Sequence, residues 1–336
     1  RRSGHHRAGG VRLVTARPDV LICAGLDPSG GAGLIADVRV VSELGGRPVG
    51  VVTALTVQNT TGVVEVEPVN ASHVREQLEL LLSDVEVRAV KIGMLGASQV
   101  ATSIGQALAL TGAPVVWDPV IQPSRGQVSL LAGSLDEALA ALLPHVAVLT
   151  PNAPELALLT GAPVASIADA VAAGQALARR LGVAVLVKGG HLGPAAADPS
   201  AGARLAVGAN VSGGARSAMG AGASAGSRVE PGAVPAGSTV AASGVPAASA
   251  VDESADESVD ESVDVLCRPD GFELLRGART AGGEHVHGTG CALSSALATY
   301  LAHGMPLVDA CREAKRRVAA WIAAPARPGR GAAAIL

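Results

Sequence analysis

The amino-acid sequence predicts an α/β fold with a mostly parallel central sheet and helices on both faces. Short apolar runs alternate with helix-like stretches along most of the 336 residues, which is typical of repeated strand–helix units. Most of these runs are apolar at nearly every position, as expected for strands that helices cover on both faces. Hydrophobic residues make up 49% of the chain but aromatic residues only 1%, so we expect an aliphatic core.

The first half of the chain shows the clearest alternation. In its first predicted helix Leu34, Val38, Val41 and Leu44 recur at spacings of four and three residues, which predicts one apolar face. The predicted strands of this half are 19–24, 49–57, 87–94, 114–120 and 146–150, and the predicted helices are 33–45, 73–83, 97–110 and 134–143.

The second half continues the pattern after Thr150. Ser166 is the expected N-cap of a helix, with Asp169 three residues further on. The turn residues Pro269-Asp270-Gly271 predict a hairpin between two late strands. The remaining predicted elements are a short helix from Pro154, a helix over 166–181, a strand over 183–188, strands over 263–267 and 272–275, and helices near 290–303 and 307–323.

Three segments are expected to lie outside the packed domain, which we place at 19–323. Residues 1–18 are predicted to be a disordered tail, and residues 324–336 a loose one. From about 195 to 262 the chain consists mainly of Ala, Gly, Ser, Pro and Val, and it ends in the repeat DESADESVDES. Such a composition buries too little apolar area to offset the entropy of ordering, so we predict a disordered insertion. An acidic interaction segment is the alternative.

Composition also bears on partners and location. The formal net charge is −3, so it does not favour a nucleic-acid partner. No apolar run reaches the roughly 18 residues of a membrane span, and the first residues lack the apolar stretch of a secretion signal. The four cysteines form no C-x-x-C pair, which favours reduced thiols and a cytoplasmic location over disulfides or a zinc site.

Residues 25–37, GLDPSGGAGLIAD, form a glycine-rich turn between the first strand and the first helix. Such turns often hold phosphate, because a backbone without Cβ atoms can approach it closely. Gly25 and Gly30 have the spacing that begins a P-loop, but Gly31 and Ala32 stand where Lys and Ser or Thr are required. The pattern G-x-G-x-x-G does not fit either, so this turn needs another explanation.

The segment HGTGC, residues 287–291, is the strongest local signal for chemistry. Gly288, Thr289 and Gly290 at a helix start would leave backbone N–H groups free to bind an anion, and the helix dipole would assist. Cys291 lies at the same helix start, where we expect its thiol pKa to fall. The alternative is an ordinary helix turn with a buried cysteine.

Polar side chains also occur where other strands end. Asn152 and Glu155 suit a hydrated Mg²⁺, or simple helix capping. Lys188 suits a phosphate, or is a solvated strand end. Asp118 suits a metal or a phosphate, or begins an Asp-Pro turn. Placed at one sheet edge with the GTGC turn, these groups favour phosphoryl transfer, in which positioning and charge neutralisation carry most of the catalysis.

These motifs together resemble a known family. The ordered segments AGLDPSGGAGLIAD, ALTVQNTTGV, KIGML, DPV, TPNAPE, VKGGHL and HGTGC are similar to those of the hydroxymethylpyrimidine/phosphomethylpyrimidine kinases of thiamine biosynthesis. The resemblance covers about residues 19–194 and 263–323. It implies a ribokinase-like α/β fold, and ATP- and Mg²⁺-dependent phosphorylation of 4-amino-5-hydroxymethyl-2-methylpyrimidine and then of its monophosphate.

The resemblance also assigns roles to residues of this chain. It places the first glycine turn on the pyrimidine side and implies a homodimer. The GTGC turn becomes the anion hole for the transferring phosphoryl group, and Cys291 the base that accepts the hydroxymethyl proton. Lys188, Asn152 and Asp118 are implied at ATP, and Glu155 with Asp118 at the metal. The implied pyrimidine contacts are Gly25, Asp37, Gln58, Met94 and Val120.

Two departures from the family pattern keep other functions open. The segment after Asp118 reads DPVIQPSRGQVSLL, and His285-Val286 precedes HGTGC where Asn-Thr is usual. A pyridoxal kinase of the same superfamily is one alternative, although Gln58 with Met94 favours the pyrimidine. A pyrimidine-binding protein that has lost catalysis is the other, although Cys291 and Lys188 are both present.

Overall fold

The computed structural model describes residues 17–122, 128–191 and 261–335. The predicted tail is described only from Arg17 onward, and residues 195–260 of the predicted insertion lie outside the described residues. The strands are β1 Asp19–Leu26, β2 Arg47–Asn59, β3 Gly62–Pro68, β4 Val87–Ile92, β5 Gly96–Ala97, β6 Val115–Trp117, β7 Leu131–Ala132, β8 Val146–Leu149, β9 Ala184–Val187, β10 Glu261–Arg268 and β11 Gly271–Ala278. The helices are α1 Gly33–Glu43, α2 Ala71–Asp84, α3 Ser98–Leu108, α4 Leu135–Leu142, α5 Ala153–Thr160, α6 Ile167–Leu181, α7 Thr289–Ala302 and α8 Leu307–Ala323.

Nine of the described strands form one sheet in the order β11-β10-β9-β8-β6-β4-β1-β2-β3. The inner strands from β9 to β2 pair in parallel, whereas β3 and the β10–β11 hairpin pair antiparallel at the two edges. Arg268 pairs with Gly271, so Pro269 and Asp270 form the predicted hairpin turn. The mostly parallel sheet is confirmed.

Two apolar cores cover the two faces of this sheet. Helices α2 to α6 pack on one face, around buried residues such as Leu78, Ile104 and Trp117. Helices α1, α7 and α8 pack on the other, around residues such as Val40 and Leu297. The inner strands are buried on both sides, which explains their almost continuous apolar sequence.

Strand β3 was absent from the sequence prediction. Its sequence GVVEVEP leaves Val64, Glu65 and Glu67 exposed, because it pairs only with β2 at the edge of the sheet. A half-exposed edge strand lacks the apolar run that marks the inner strands. Together β2 and β3 form a hairpin whose turn lies at Thr60 and Thr61.

The end of the predicted loose C-terminal tail, residues 332–335, packs against the domain. Ala332, Ala333, Ala334 and Ile335 are all less than 9% exposed, and Ile335 lies in the core with α7 and α8. The backbone of this segment is hydrogen-bonded to His287 and Thr60, so its small apolar side chains pack instead of fraying. Among the described residues, no helix is long and apolar enough to cross a membrane.

Candidate active site

Three of the predicted site residues follow neighbouring parallel strands. Asp118 comes directly after β6, and Lys188 directly after β9, on either side of β8, after which Asn152 begins α5. Asn152 and Lys188 form an isolated parallel bridge, and the Lys188 N–H donates to the Pro151 carbonyl at 2.9 Å. Ligand sites of open α/β sheets lie beyond the carboxyl ends of such strands.

Lys188 is the centre of a buried charge cluster at this edge. Its Nζ lies 2.5 Å from an Asp118 oxygen and 3.6 Å from a Glu155 oxygen. Burial would lower the pKa of Lys188, but the two carboxylates raise it above its usual range, so the ammonium keeps its charge. Burial raises the pKa of Glu155 to about 7, with Lys188 opposing and Asp118 adding to the shift.

Asn152 and Glu155 also cap α5, as the alternative interpretation held. The Asn152 side chain accepts from the Glu155 N–H at 2.8 Å, and the Glu155 carboxylate accepts from the Asn152 N–H at 2.7 Å. This capping box fixes the direction of the Glu155 side chain beside Lys188. Capping and a role in the charge cluster are therefore compatible.

The GTGC turn opens α7 beside the same cluster. Gly288 is the N-cap residue, with φ of 84°, and no side chain caps the helix start. A Cβ on Gly290 would lie 3.2 Å from the Lys188 Nζ, so the ammonium reaches the first turn of α7. The N–H groups of a helix start, a helix dipole and a lysine at one point are features that favour anion binding, so we treat this point as a candidate anion site.

The first glycine turn packs against this candidate anion site. A Cβ on Gly288 would lie only 2.0 Å from the Gly31 carbonyl oxygen, and a Cβ on Gly31 would lie 2.9 Å from the His287 ring. Only glycines allow such an approach. The turn GLDPSGG thus shapes the site by close backbone contact with the start of α7.

The expected fall in the pKa of Cys291 was wrong. The residue is partly exposed, but burial of its sulfur raises its pKa to about 11; Lys91 opposes this shift, while Asp37 and Asp118 add to it. The Gly33 N–H donates to the sulfur and lowers its pKa, yet this bond and the charge of Lys91 do not offset the desolvation. Cys291 is therefore a neutral thiol at pH 7.

Four of the implied pyrimidine contacts lie near the first glycine turn or follow β4 and β6. A Cβ on Gly25 would lie 2.2 Å from the Met94 Cε, so the methionine lies against the backbone of Gly25. Gln58, Met94 and Val120 are all partly exposed. The assignment of these residues to a pyrimidine stays a prediction.

Asp37 differs from the other implied contacts because it has no exposed atom. Its carboxylate accepts from Lys91 Nζ at 2.5 Å and from Ser295 Oγ at 2.8 Å. Burial lowers the pKa of Lys91, but Asp37 and the neighbouring acidic groups raise it by more. Lys91 therefore stays charged. The ion pair ties α1 to β4 and α7, and a contact of Asp37 with a ligand would require it to open.

Sequence reasoning missed Asp27 as a site residue. Its carboxylate is 3% exposed and accepts from the Ser29 N–H at 2.8 Å, the Ser29 hydroxyl at 2.7 Å and the Ala32 N–H at 3.0 Å. His287 Nε2 lies 3.4 Å away, and Gln58 also bonds to it. Burial would raise the pKa of Asp27, but these hydrogen bonds hold it well below its usual range.

The donor set suits a metal ion that arrives with phosphates better than a resident one. Among the described residues, no group of three or more His, Cys, Asp or Glu side chains is arranged to hold a metal. Magnesium at nucleotide sites takes most ligands from phosphate and water, with only one or two carboxylates. Glu155 and Asp118, both beside Lys188, fit that requirement.

The architecture is ribokinase-like. The structure of the pyridoxal kinase from Staphylococcus aureus in complex with AMP-PCP has this fold, with a TM-score of 0.68 and 24% identity over 95% of this chain and 93% of that one. The crystal structure of phosphomethylpyrimidine kinase from Clostridium difficile has a TM-score of 0.60 and 27% identity, covering 91% of this chain and 99% of that one.

The chain belongs to the phosphomethylpyrimidine kinase family, whose model matches residues 27–208 and 249–335. It is 41% identical over 173 residues to the hydroxymethylpyrimidine/phosphomethylpyrimidine kinase of Rhizobium meliloti, covering 51% of this chain and 65% of that protein. It is 32% identical over 324 residues to the thiamine biosynthesis bifunctional protein ThiED of Geobacter sulfurreducens, covering 95% of this chain and 52% of that protein.

A third relative is the thiamine biosynthesis multifunctional protein ThiED of Corynebacterium glutamicum, 44% identical over 183 residues. That match covers 54% of this chain and 24% of the relative. The matches thus span from 24% to 65% of the length of these three relatives.

Proposed function

We propose that the chain transfers the γ-phosphoryl group of ATP to 4-amino-5-hydroxymethyl-2-methylpyrimidine, and then phosphorylates the monophosphate to the diphosphate. The observation that carries this proposal is the meeting of the α7 start with Lys188. A Cβ on Gly290 would lie 3.2 Å from the Lys188 Nζ, so helix N–H groups and an ammonium converge on one point. Family membership supports the choice of substrate.

The residues at this point suit a loose phosphoryl-transfer transition state. Charge builds on the oxygens of the moving phosphoryl group, and preorganised donors stabilise it without rearrangement. In our proposal the N–H groups of Gly288 to Cys291 and the ammonium of Lys188 supply those donors. In its thiolate form, the minor form at pH 7, the Cys291 sulfur at the same helix start accepts the proton of the attacking hydroxymethyl group and becomes the thiol.

ATP and magnesium belong to the same proposal. Lys188, Asn152 and Asp118 would face the ATP phosphates, and Glu155 with Asp118 would hold the Mg²⁺ that the nucleotide brings. The ion would neutralise phosphate charge during transfer. The hydrogen bond from the Asn152 N–H keeps the Glu155 carboxylate in place for that contact.

The ring is proposed to bind on the other side of Cys291. The Gln58 amide can both donate and accept hydrogen bonds, as the edge of an aminopyrimidine requires. Met94 lies against Gly25, and with Val120 it would offer apolar contact to the ring. Gly25 leaves room for this arrangement because it has no side chain.

The direct test is to incubate the chain with Mg-ATP and the hydroxymethylpyrimidine and to identify the products by mass. We expect the monophosphate first and the diphosphate later. A wild-type chain that binds the pyrimidine but transfers no phosphate would instead support the alternative of an inactive binding protein.

Pyridoxal phosphorylation is the second candidate, because the fold is shared with pyridoxal kinases. That likeness shows the fold alone, and Gln58 with Met94 favours the pyrimidine. We expect kcat/KM to be higher for the hydroxymethylpyrimidine than for pyridoxal in parallel assays with ATP. A higher value for pyridoxal would overturn the choice of substrate.

We further propose a cytoplasmic homodimer. The β2–β3 hairpin exposes Leu55, Val57 and Val64 by 47%, 57% and 73%, and a second copy would cover these side chains. Light scattering on the purified chain checks this, with a dimer mass expected and a monomer mass contradicting it. We expect Leu55→Ser with Val57→Ser to shift the mass towards the monomer.

A further inference from the structure

The C-terminal strap, residues 326–335, folds back so that its two ends pair, and it lies next to the start of α7. Ala326 and Ala334 form an antiparallel bridge, with N–H to carbonyl distances of 2.9 and 2.8 Å in the two directions. Ile335 is 2% exposed and anchors the end of the strap in the core beneath α7 and α8. The strap is thus a packed element, and its small residues allow it to lie close to other backbone.

One part of the strap binds the turn of the β2–β3 hairpin. The Ala332 N–H donates to the Thr60 carbonyl at 2.8 Å, and the Gly331 N–H donates to the Thr60 hydroxyl at 3.0 Å. A Cβ on Gly331 would lie 2.0 Å from that same carbonyl oxygen, so the two backbones touch. Gln58, the proposed ring contact, lies two residues before Thr60.

Another part of the strap binds the residue before the anion site. The His287 N–H donates to the Ala333 carbonyl at 2.7 Å, and the Ile335 N–H donates to the His287 carbonyl at 3.4 Å. The Ala334 side chain lies 3.3 Å from the position of a Cβ on Gly31, in the first glycine turn. The strap therefore contacts both the hairpin turn and the start of α7 through backbone bonds.

We propose that the strap is a positioning element that holds the β2–β3 hairpin, and with it Gln58, at a fixed distance from the anion site at Gly288–Cys291. This role rests on the proposed function, because it concerns how the ring and the phosphoryl group are placed relative to each other. The strap touches neither reacting atom; it acts through Thr60 and His287. Misplacement by about 1 Å between two such groups is enough to cost a large factor in rate.

Amide hydrogen exchange tests the coupling without any assay of activity. Gly331→Ala introduces a Cβ that overlaps the Thr60 backbone, so the strap must move away from the hairpin. We expect exchange to speed up by about tenfold or more both at the hairpin turn and at His287. Gly62→Ala is the matched control, because a Cβ on Gly62, the residue that follows the same hairpin turn, meets no atom within 4 Å.

Thr60→Ala is a milder second variant for the case that Gly331→Ala does not fold. It removes the acceptor of the Gly331 N–H and leaves the backbone bond to Ala332 intact. We expect KM for the pyrimidine to rise severalfold, KM for ATP to stay within about twofold, and Thr60→Ser to restore the wild-type value. A purely structural role would lower the melting temperature without separating the two KM values.

The two proposals fail in distinguishable ways. Wild-type chain that forms no phosphorylated product overturns the proposed function, and the exchange experiment still decides whether the strap couples the two segments. Unchanged exchange at His287 in folded Gly331→Ala overturns the strap proposal. An active enzyme whose Thr60→Ala variant keeps the wild-type KM for the pyrimidine overturns it as well.

Discussion

Cys291 shows how neighbouring residues, more than position in a helix, decide the state of a side chain. It lies at the start of α7, where a helix dipole lowers a thiol pKa, yet burial and the nearby Asp37 and Asp118 raise that pKa to about 11. At pH 7 only the small thiolate fraction can act as a base, so the proposed role of Cys291 uses the minor form of its side chain.

We expect Cys291→Ala to lower kcat by about 10²-fold, the usual scale for losing an acid–base group. Cys311→Ala is the control, because Cys311 is a buried thiol of α8 whose charged neighbours are Asp264 and Glu273, not those of Cys291. Steady-state kinetics with Mg-ATP and the hydroxymethylpyrimidine measure both variants. Near-wild-type turnover of Cys291→Ala would remove Cys291 from the mechanism.

The same base role predicts a rise of kcat/KM with pH. Only the thiolate accepts a proton, and below a pKa of about 11 its fraction grows about tenfold per pH unit. The range from pH 8 to 9.5 is suitable because Glu155, with a pKa of about 7, is already ionised there. We expect Cys291→Ser to show no such rise, and a flat wild-type profile would argue against a thiolate base.

At the scale of elements, the first glycine turn and the GTGC turn hold each other in place by backbone contact. Gly288 needs a positive φ and also lies against the Gly31 carbonyl, so the start of α7 and the first glycine turn fix each other. The turn that follows β1 therefore supports the start of α7, the candidate anion site, by backbone contact and without the usual P-loop residues. This contact explains why GLDPSGG is rich in glycine but fits no nucleotide motif.

Gly288→Ala should cost more stability than its backbone angle alone predicts. Gly282 provides the comparison, since its φ of 76° is similar but a Cβ there meets no atom within 4 Å. We expect Gly282→Ala to lower the free energy of unfolding by about 1–2 kcal/mol, the cost of the left-handed conformation. Gly288→Ala should lose more than this and also lower kcat. Urea denaturation of both variants measures the difference, and equal losses would contradict the role of the Gly31 contact.

Much of the fold and part of the site were predictable from sequence. Apolar runs located the inner strands, and the capping pairs Asn152/Glu155 and Ser166/Asp169 located two helix starts. Ribokinase-like architecture followed from ordered motifs. Strand β3 was not predictable, because an edge strand needs no continuous apolar sequence.

Long-range contacts account for what the sequence could not indicate about the site. Asp27 lies in the glycine-rich turn 25–37, where nothing in the local sequence distinguishes it. It accepts bonds within its own turn, and it also contacts Gln58 and His287, which are far away in sequence. The pKa of Cys291 depends on charges from β4, α1 and β6, which no local pattern reveals. The sequence of the alanine-rich strap shows no periodic alternation of apolar and polar residues, so its packing against Thr60 could not be predicted.

At the scale of the whole molecule, the two cores bury titratable thiols that unfolding would expose to solvent. Burial raises the pKa of Cys23 and Cys311 to about 12, and that of Cys267 to about 11. With Cys291, all four cysteines keep their protons in the folded chain at pH values where an unfolded thiol has lost them.

Stability should therefore fall as the solution becomes alkaline. Above about pH 9 the unfolded thiols ionise while the folded ones do not, so each adds a loss of about 1.4 kcal/mol per pH unit until its folded pKa is reached. Urea denaturation at pH 8 and pH 10 measures the fall. We expect Cys267→Ala to show a smaller fall in the free energy of unfolding between these pH values, reduced by the contribution of one thiol. A free energy of unfolding that is equal at both pH values would refute the prediction.

The antiparallel pairing of β9 with β10 has a consequence for how this chain tolerates change in length. Val187 lies opposite Val265, so the polypeptide leaves and re-enters the sheet side by side. Sequence added or removed after His191 and before Glu261 leaves Lys188 and the pairing of the described strands unchanged, and the entropy of closing the gap grows only with the logarithm of its length. At this corner an enzyme with this fold can therefore gain or lose a long segment while the rest of its fold stays the same.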